Sequence, residues 1–272
     1  MKIGLIGAQN SHSKGFCDAI NKKRPWEDVS VSFIYGADDP EQANKLCGEF
    51  GLTECESEEE LIEKSDAVAI TYRKGSMHCK AAIKALKAGK PLFVDKPFTA
   101  NVEEAKEIAA LAKSGGALLC GGSGCKHAPE IAEMKKDIKP GSTVVISYAA
   151  DSGSEYDGYW FYGCHSAEVC LELCGPDYVS VQSFKNGDVV VTNVVYADKV
   201  CVIVTEPKAY NLTVSVSADG KTVCRPVPYY PDAPASELVK MAKSKIAPRD
   251  YGFYVKSVEL TGKIIESYEK QQ

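Results

Sequence analysis

Two side chains in this 272-residue sequence are of a type and setting that could move protons: Lys96 in FVDKPFTAN and His165 in YWFYGCHSAEVCLELCG. Lys96 ends an apolar run and precedes Pro97. A residue before proline is held extended, which fixes the direction of its side chain. An amine at a strand end, partly buried beside a positively charged ring, has a lowered pKa and can shuttle protons. His165 opens a helical stretch, and an imidazole near a helix N-terminus tends to stay neutral, as a general base must. A solvated surface charge and a packing or capping histidine are the competing readings of these two residues.

A third stretch, GLIGAQNSHSKGF over residues 4–16, stands where a strand turns into a helix. Such a turn offers unpaired N–H groups and a positive dipole end to an anion. Gly7 occupies the first position of a G-x-G-x-x-G loop, but Gln9 and His12 replace the second and third glycines. The second glycine normally lets backbone approach a pyrophosphate, and the third lets helix and strand pack closely. Gln9, Asn10, Ser11 and His12 therefore put side-chain donors where backbone would otherwise serve. A carboxylate at the end of the second strand would bind a ribose 2′-hydroxyl. Asp38 and Asp39 stand there, about 31 residues beyond Gly7, with NKKRPWED as an inserted loop. The usual spacing is about 20. Asp38 is the candidate ribose ligand and Asp39 the cap of the next helix. An acid here favours NAD over NADP, because it repels a 2′-phosphate.

The elements that must carry these residues are legible from periodicity. Strand and helix alternate through the first 120 residues: KIGLIG, VSVSFIYGA, DAVAIT, PLFVDKP and ALLCGG are apolar runs, separated by amphipathic stretches with capping signals at Ser57, Asn101 and Gly89. Such alternation implies βαβ units and a parallel sheet covered on both faces. From Ser142 to Tyr230 strands dominate, joined by turns such as KNGD and ADG, which is hairpin chemistry. SAEVCLELCG interrupts them as a helix, and two more helices close the chain. The expected fold is α/β. A doubly wound nucleotide-binding domain spans 1–120, and an α+β domain with a largely antiparallel open sheet spans 121–272.

Composition narrows the partners. With 32 basic and 37 acidic residues the net charge is −5 and no basic block stands out, so nucleic acid is not an expected partner. No apolar run approaches the roughly 18 residues that cross a bilayer. Eleven cysteines, an odd number, behind an N-terminus without a signal-peptide pattern point to reduced thiols in the cytoplasm. There is no CxxC pair. The loose groups Cys164, His165, Cys170, Cys174 and Cys120, Cys125, His127 lack zinc-ligand spacing, so no metal is expected.

These stretches resemble the Gfo/Idh/MocA family, the glucose–fructose oxidoreductase and inositol dehydrogenase group, in order along the whole chain. DAVAIT…SMHCKAAIKALKAGKPLFVDKPFT is similar to its most specific signature: a strand, a histidine-led helix, A-L-x-A-G-K and [ED]-K-P. GSGCKHAPEI resembles the segment after the last Rossmann strand, and GCHSAEVCLELCG the G-x-H-x-x-D…L-x-G motif of the second domain. The resemblance implies a Rossmann domain followed by an α+β domain, NAD(P)-dependent oxidation of a sugar or cyclitol hydroxyl, and a homodimer or homotetramer formed through the second sheet. It assigns Lys96 and His165 as catalytic, and places Gly7, Gln9, Asn10, Ser11, His12, Asp38, Thr71, His78 and Lys96 at the cofactor. Glu168 stands where aspartate is usual. Arg73, Lys126, His127, Tyr156, Tyr159 and Tyr162 are candidates to line the substrate pocket with it.

In that assignment His165 accepts the hydroxyl proton, hydride leaves the carbon for the nicotinamide, and Lys96 hydrogen-bonds the same oxygen. The chain also departs from the family. Phe161 occupies the place of a second catalytic acid, four residues before the histidine, and two loop glycines are gone. The alternative is a redox-silent relative that binds a nucleotide or metabolite as a sensor or regulator.

Overall fold

The computed structural model describes residues 1–270 as two compact units, Met1–Gly122 with Pro231–Val255, and Ser123–Tyr230 with the chain from Lys256 onward. In the first unit β1 (Lys2–Ile6), β2 (Ser30–Tyr35), β3 (Thr53–Glu54), β4 (Ala67–Ile70), β5 (Leu92–Val94) and β6 (Leu119–Gly121) form one parallel sheet in the order β3-β2-β1-β4-β5-β6. The short β3 is an element that the apolar pattern did not reveal, since Thr53 and Glu54 are both exposed. The connecting helices are α1 (Ser11–Cys17), α2 (Pro40–Phe50), α3 (Glu58–Lys64), α4 (His78–Lys87) and α5 (Val102–Gly115). Every residue of β4 and β5 is buried, as a strand covered on both faces requires. The strand order reverses between β1 and β4. Open α/β sheets bind ligands at such a switch point, beyond the carboxyl ends of the strands.

Caps fix where the helices start. Asn10 accepts from the His12 amide at the head of α1, Asp39 from the Gln42 amide at α2, Ser57 from the Glu60 amide at α3, and Asn101 from the Glu103 and Glu104 amides at α5. Each satisfies an N–H that the first turn leaves without an intrahelical partner.

The second unit begins with α6 (Pro129–Met134). Its sheet is β7 (Thr143–Ala149), β8 (Ser180–Asn186), β9 (Val189–Val195), β10 (Val200–Glu206), β11 (Thr213–Ala218) and β12 (Lys221–Pro226), in the order β12-β11-β7-β10-β9-β8. The KNGD turn joins β8 to β9 and the ADG turn joins β11 to β12, both antiparallel. The one parallel pair is β7 with β10. Helix α7 (Trp160–Cys174), between β7 and β8 in sequence, packs on β7 and β10. Strands β9 and β10 alternate buried and half-buried residues, the period-2 pattern of a sheet with one covered and one open face.

After the second sheet the chain returns to the first unit. The helix α8 (Ala233–Ser244) places Leu238, Val239, Met241 and Ala242 in one apolar cluster with Phe16, Ile20 and Phe93. Helix α9 (Gly252–Glu269) follows, and Tyr254 near its start stacks on Phe98 at 5.0 Å. Residues 231–255 thus belong with the Rossmann sheet, although they follow the second domain in sequence. Among the described residues, no helix is long and apolar enough to cross a membrane. None of the eleven cysteines is in a disulfide.

Candidate active site

The switch point of the first sheet gathers most of the expected nucleotide residues. Gly7 ends β1 with φ +105°, and a Cβ there would lie 2.7 Å from the Tyr72 amide nitrogen. Only glycine can make this turn. Asp38 does not stand clear of the loop. Its carboxylate accepts from the Ala8 amide at 2.9 and 3.1 Å and from the Gln9 amide at 3.1 Å. An ionised carboxylate offers about four lone-pair sites, so acceptor capacity for a ribose hydroxyl remains. The Gln9 and Ser11 side chains are exposed.

Asn10 and His12 turn inward to a partner that the sequence reading did not assign. Asn10 Nδ2 donates to Asp95 Oδ2 at 2.9 Å, and His12 Nδ1 lies 2.8–2.9 Å from both Asp95 oxygens. Asp95, at the end of β5, is fully buried and immediately precedes Lys96. Asn10, together with His12 in place of the third loop glycine, therefore pins the loop to the strand end that carries Lys96. Burial alone would push the Asp95 carboxyl up. The His12 ring and the Lys96 ammonium outweigh that, and it is held below its ordinary value.

Asp95→Asn is expected to lower stability at neutral pH, because the amide cannot accept from both loop side chains and remain paired. A folded-state pKa below the unfolded 3.8 means that the carboxylate contributes stability above that value and loses it as pH falls through the folded one. The gap in denaturation midpoint between wild type and variant should therefore be full at pH 5 and shrink only below pH 3.8. A gap already absent at pH 5 would show that the loop does not depend on this carboxylate.

Two other expected cofactor residues face inward. Thr71 Oγ1 donates to the Gly7 carbonyl at 3.0 Å, and Ser13 Oγ donates to it in turn. This ties β4, the loop and α1 together. His78 is fully buried, with Nε2 at 2.9 Å from the Tyr72 carbonyl and Nδ1 at 3.2 Å from that of Phe98. It braces the turn after Pro97 rather than presenting a ring nitrogen to a ligand. Lys96 is 3% exposed. Arg73 follows β4 in the first unit and is half-buried, whereas the other expected substrate residues lie in the second unit.

In the second unit His165 is buried in the second turn of α7, which starts at Trp160, and not at the helix start that the sequence suggested. Its Nδ1 lies 2.6 Å from Ser123 Oγ and 3.7 Å from Cys125 Sγ. Tyr148 and Tyr162 flank the ring, with centroids at 5.6 and 5.4 Å, and Tyr162 reaches the exposed Tyr210 at 5.4 Å. Phe161 packs between Tyr156 and Tyr162. Burial pushes the Tyr148 phenol well above its usual range, so it enters as a neutral hydroxyl.

Lys126 and Glu168 form a salt bridge of 3.2 Å, with both side chains 1% exposed. Glu168 also accepts the Ser123 amide, and Lys126 donates to the Ser123 carbonyl. Both side chains are thus buried and paired within the second unit. Tyr159 is likewise internal: it is buried, and its hydroxyl meets Thr205 Oγ1 at 3.2 Å. A Cβ on Gly163 would strike its ring at 2.2 Å. Tyr156, Tyr162 and His127 remain half-buried. Sequence reasoning missed Asp95, Ser123, Cys125, Tyr148 and Tyr210. Asp95 and Ser123 stood inside the quoted motifs, but nothing local marks their partners.

The fold of the chain has known counterparts. Residues 1–123 match the model of the GFO_IDH_MocA oxidoreductase family, NAD-binding Rossmann fold. Over 183 residues the chain is 26% identical to the uncharacterized oxidoreductase YhhX of Escherichia coli, covering 61% of this chain and 52% of the relative. Over 138 residues it is 25% identical to the scyllo-inositol 2-dehydrogenase (NADP(+)) IolU of Bacillus subtilis, covering 49% and 42%. The matches thus span about half the length of these curated relatives. Among solved structures, myo-inositol 2-dehydrogenase from Lactobacillus plantarum superposes with a TM-score of 0.86 at 14% identity, covering 100% of this chain and 98% of that one. Scyllo-inositol dehydrogenase from Lactobacillus casei, with bound NAD(H) and scyllo-inositol, gives 0.84 at 13%, again covering 100% and 98%. At these identities the superpositions establish the fold.

Proposed function

We propose that the chain is a dehydrogenase that transfers hydride between NAD and a CH–OH group of a sugar, cyclitol or related polyol, with Lys96 and His165 as its catalytic side chains. The observation that carries this is the loop at the β1/β4 switch point, within the stretch that matches an NAD-binding family. Gly7 makes the turn, Asp38 retains acceptor capacity for a ribose, and the loop is anchored to the strand end bearing Lys96. A bound nicotinamide would supply the hydride acceptor. The aromatic wall of Tyr148, Tyr162 and Tyr210 beside His165 suits the apolar face of a ring polyol, with hydroxyls for its polar rim. The half-buried valines on the open face of the second sheet, Val145, Val191, Val202 and Val204 among them, support a homodimer or homotetramer. The cytoplasm is the compartment proposed.

The redox-silent sensor keeps one observation in its favour: two loop amides are already taken by Asp38. Thermal-shift titrations with NAD, NADH, NADP and NADPH, followed by turnover assays on a polyol panel, separate the two readings. Stabilisation grows as RT ln(1 + [L]/Kd). A shift with NAD(H) and turnover are expected. A shift without turnover would establish the sensor, and no shift with any nucleotide would remove both.

A further inference from the structure

The last two turns of α7 bring two thiols, Cys170 and Cys174, to a third, Cys201 of β10. Residues four apart share one helix face. Helix α7 packs on β10, and Cys201 is one of the buried residues of that alternating strand. The three sulfurs are within hydrogen-bonding reach of one another. Tyr196, just after β9, closes the cluster. Its hydroxyl donates to the Gly175 carbonyl at 2.9 Å and lies 3.5 Å from Cys170 Sγ. All of these residues belong to the second unit. Among the described residues, no group of histidine, cysteine and carboxylate side chains is placed to hold a metal ion, and the chemistry of the cluster is that of its thiols.

The three thiols differ in access and in acidity. Cys170 and Cys201 are fully buried, whereas Cys174 is half-buried. Hydrogen bonds from Cys170 and Cys201, with the Lys199 ammonium behind them, outweigh burial and the Asp198 carboxylate and hold the Cys174 thiol below its ordinary range. Hydrogen bonding among the thiols and burial raise Cys170 and Cys201 above theirs. The thiolate is the nucleophile, and an accessible, acidic thiol beside a resolving one is the arrangement of a redox-sensing pair. Cys170 is poorly placed to resolve. Cβ atoms four residues apart on a helix are about 5–6 Å from each other, and a disulfide needs about 3.5–4.5 Å. Cys201 approaches from another element, where helix spacing does not apply.

We infer that Cys174 and Cys201 form a peroxide-sensitive modification site, in which Cys174 is oxidised to a sulfenic acid and Cys201 resolves it to a disulfide. The Cys174 sulfur attacks one oxygen of hydrogen peroxide and the O–O bond breaks. Sulfur is oxidised by two electrons and the peroxide is reduced by two. The hydroxide that leaves takes up the proton that Cys174 released on ionising, and becomes water. The Cys201 sulfur then attacks the Cys174 sulfur. The S–S bond forms, the S–O bond breaks, and the departing hydroxide takes the Cys201 proton as a second water. Two thiols and one peroxide thus give one disulfide and two waters, and a dithiol reductant restores both thiols. The bridge ties the last turn of α7, the helix that bears His165, to β10. It goes beyond the dehydrogenase reading and does not depend on it.

Peroxide titration of the 272-residue chain, with peptide mapping by mass spectrometry, tests the site without nucleotide or substrate. A Cys174–Cys201 disulfide is expected, and dithiothreitol should remove it. In Cys201→Ala, dimedone should label Cys174 as the sulfenic acid. The exposed Cys224 is the control for access alone. At pH 6 an ordinary thiol is less than about 1% ionised, so Cys174 should be oxidised ahead of Cys224. Oxidation of Cys224 before Cys174 at that pH overturns the proposal. So does a Cys170–Cys174 bridge, or a Cys174 that stays reduced while Cys224 is consumed. A folded Cys201→Ala protein with no label at Cys174 also overturns it. Where that variant does not fold, the mapping of the wild type decides by itself.

Discussion

Lys96→Met should abolish most turnover, lowering kcat by about 10²–10⁴-fold, the range for removing a positioned proton-transfer group. Lys96 is 3% exposed just beyond the end of β5, directly after the buried Asp95. Methionine keeps the length and apolar stem of the side chain and removes only the group that can carry a proton. Its neighbours lose a charge, not a volume, so the thermal midpoint should move by no more than a few degrees. NAD affinity, read by the same thermal-shift titration, should change far less than kcat, because the loop is held by Gly7, Asp38, Asn10 and His12. The measurement is a steady-state comparison of kcat with NAD and the best polyol of the panel. Turnover within tenfold of wild type would remove Lys96 from the chemistry, and with it the assignment of the reacting pair.

The largest stability effect is expected at the Lys126–Glu168 salt bridge. Breaking a buried pair by removing one partner costs about 3–5 kcal/mol, because the other charge is left in a dry interior. Glu168→Leu would do this to Lys126 and would also strip both acceptors from the Ser123 amide. The double variant Lys126→Met/Glu168→Leu removes both charges, and replacing a buried pair by apolar groups is often neutral or better. It should recover most of the loss. In a Trp26→Phe background a denaturant titration follows the second unit through Trp160, since Trp26, in the first unit, is the only other tryptophan. A Glu168→Leu cost below about 1 kcal/mol would mean that the pair is solvated and does not clamp the start of the second unit to α7.

The sequence legibly carried everything that is local. Alternating apolar strands and capped helices announced the parallel sheet, and the caps at Ser57, Asn101 and Asp39 stand where their residue types placed them. The KNGD and ADG turns set the hairpins of the second sheet. These signals act over a few residues, through backbone sterics and first-turn N–H groups, so they need no knowledge of the rest of the chain.

What the tertiary structure decided is who meets whom. Asn10 and His12 find Asp95 across 85 and 83 residues, and Ser123 finds Glu168 and His165 across 45 and 42. Helix α8 returns to the first sheet from beyond the second, because its apolar face completes the cluster around Phe16 and Phe93. A buried polar group must be paired, but its type does not say by what. Which strands lie side by side settles that. The sequence by itself therefore determined a Rossmann unit with a rebuilt glycine loop, a strand-end Lys96 and a helical His165. Only the fold made the loop residues anchors for Asp95, turned Thr71 and His78 inward, and set a serine hydroxyl against the imidazole whose protons matter.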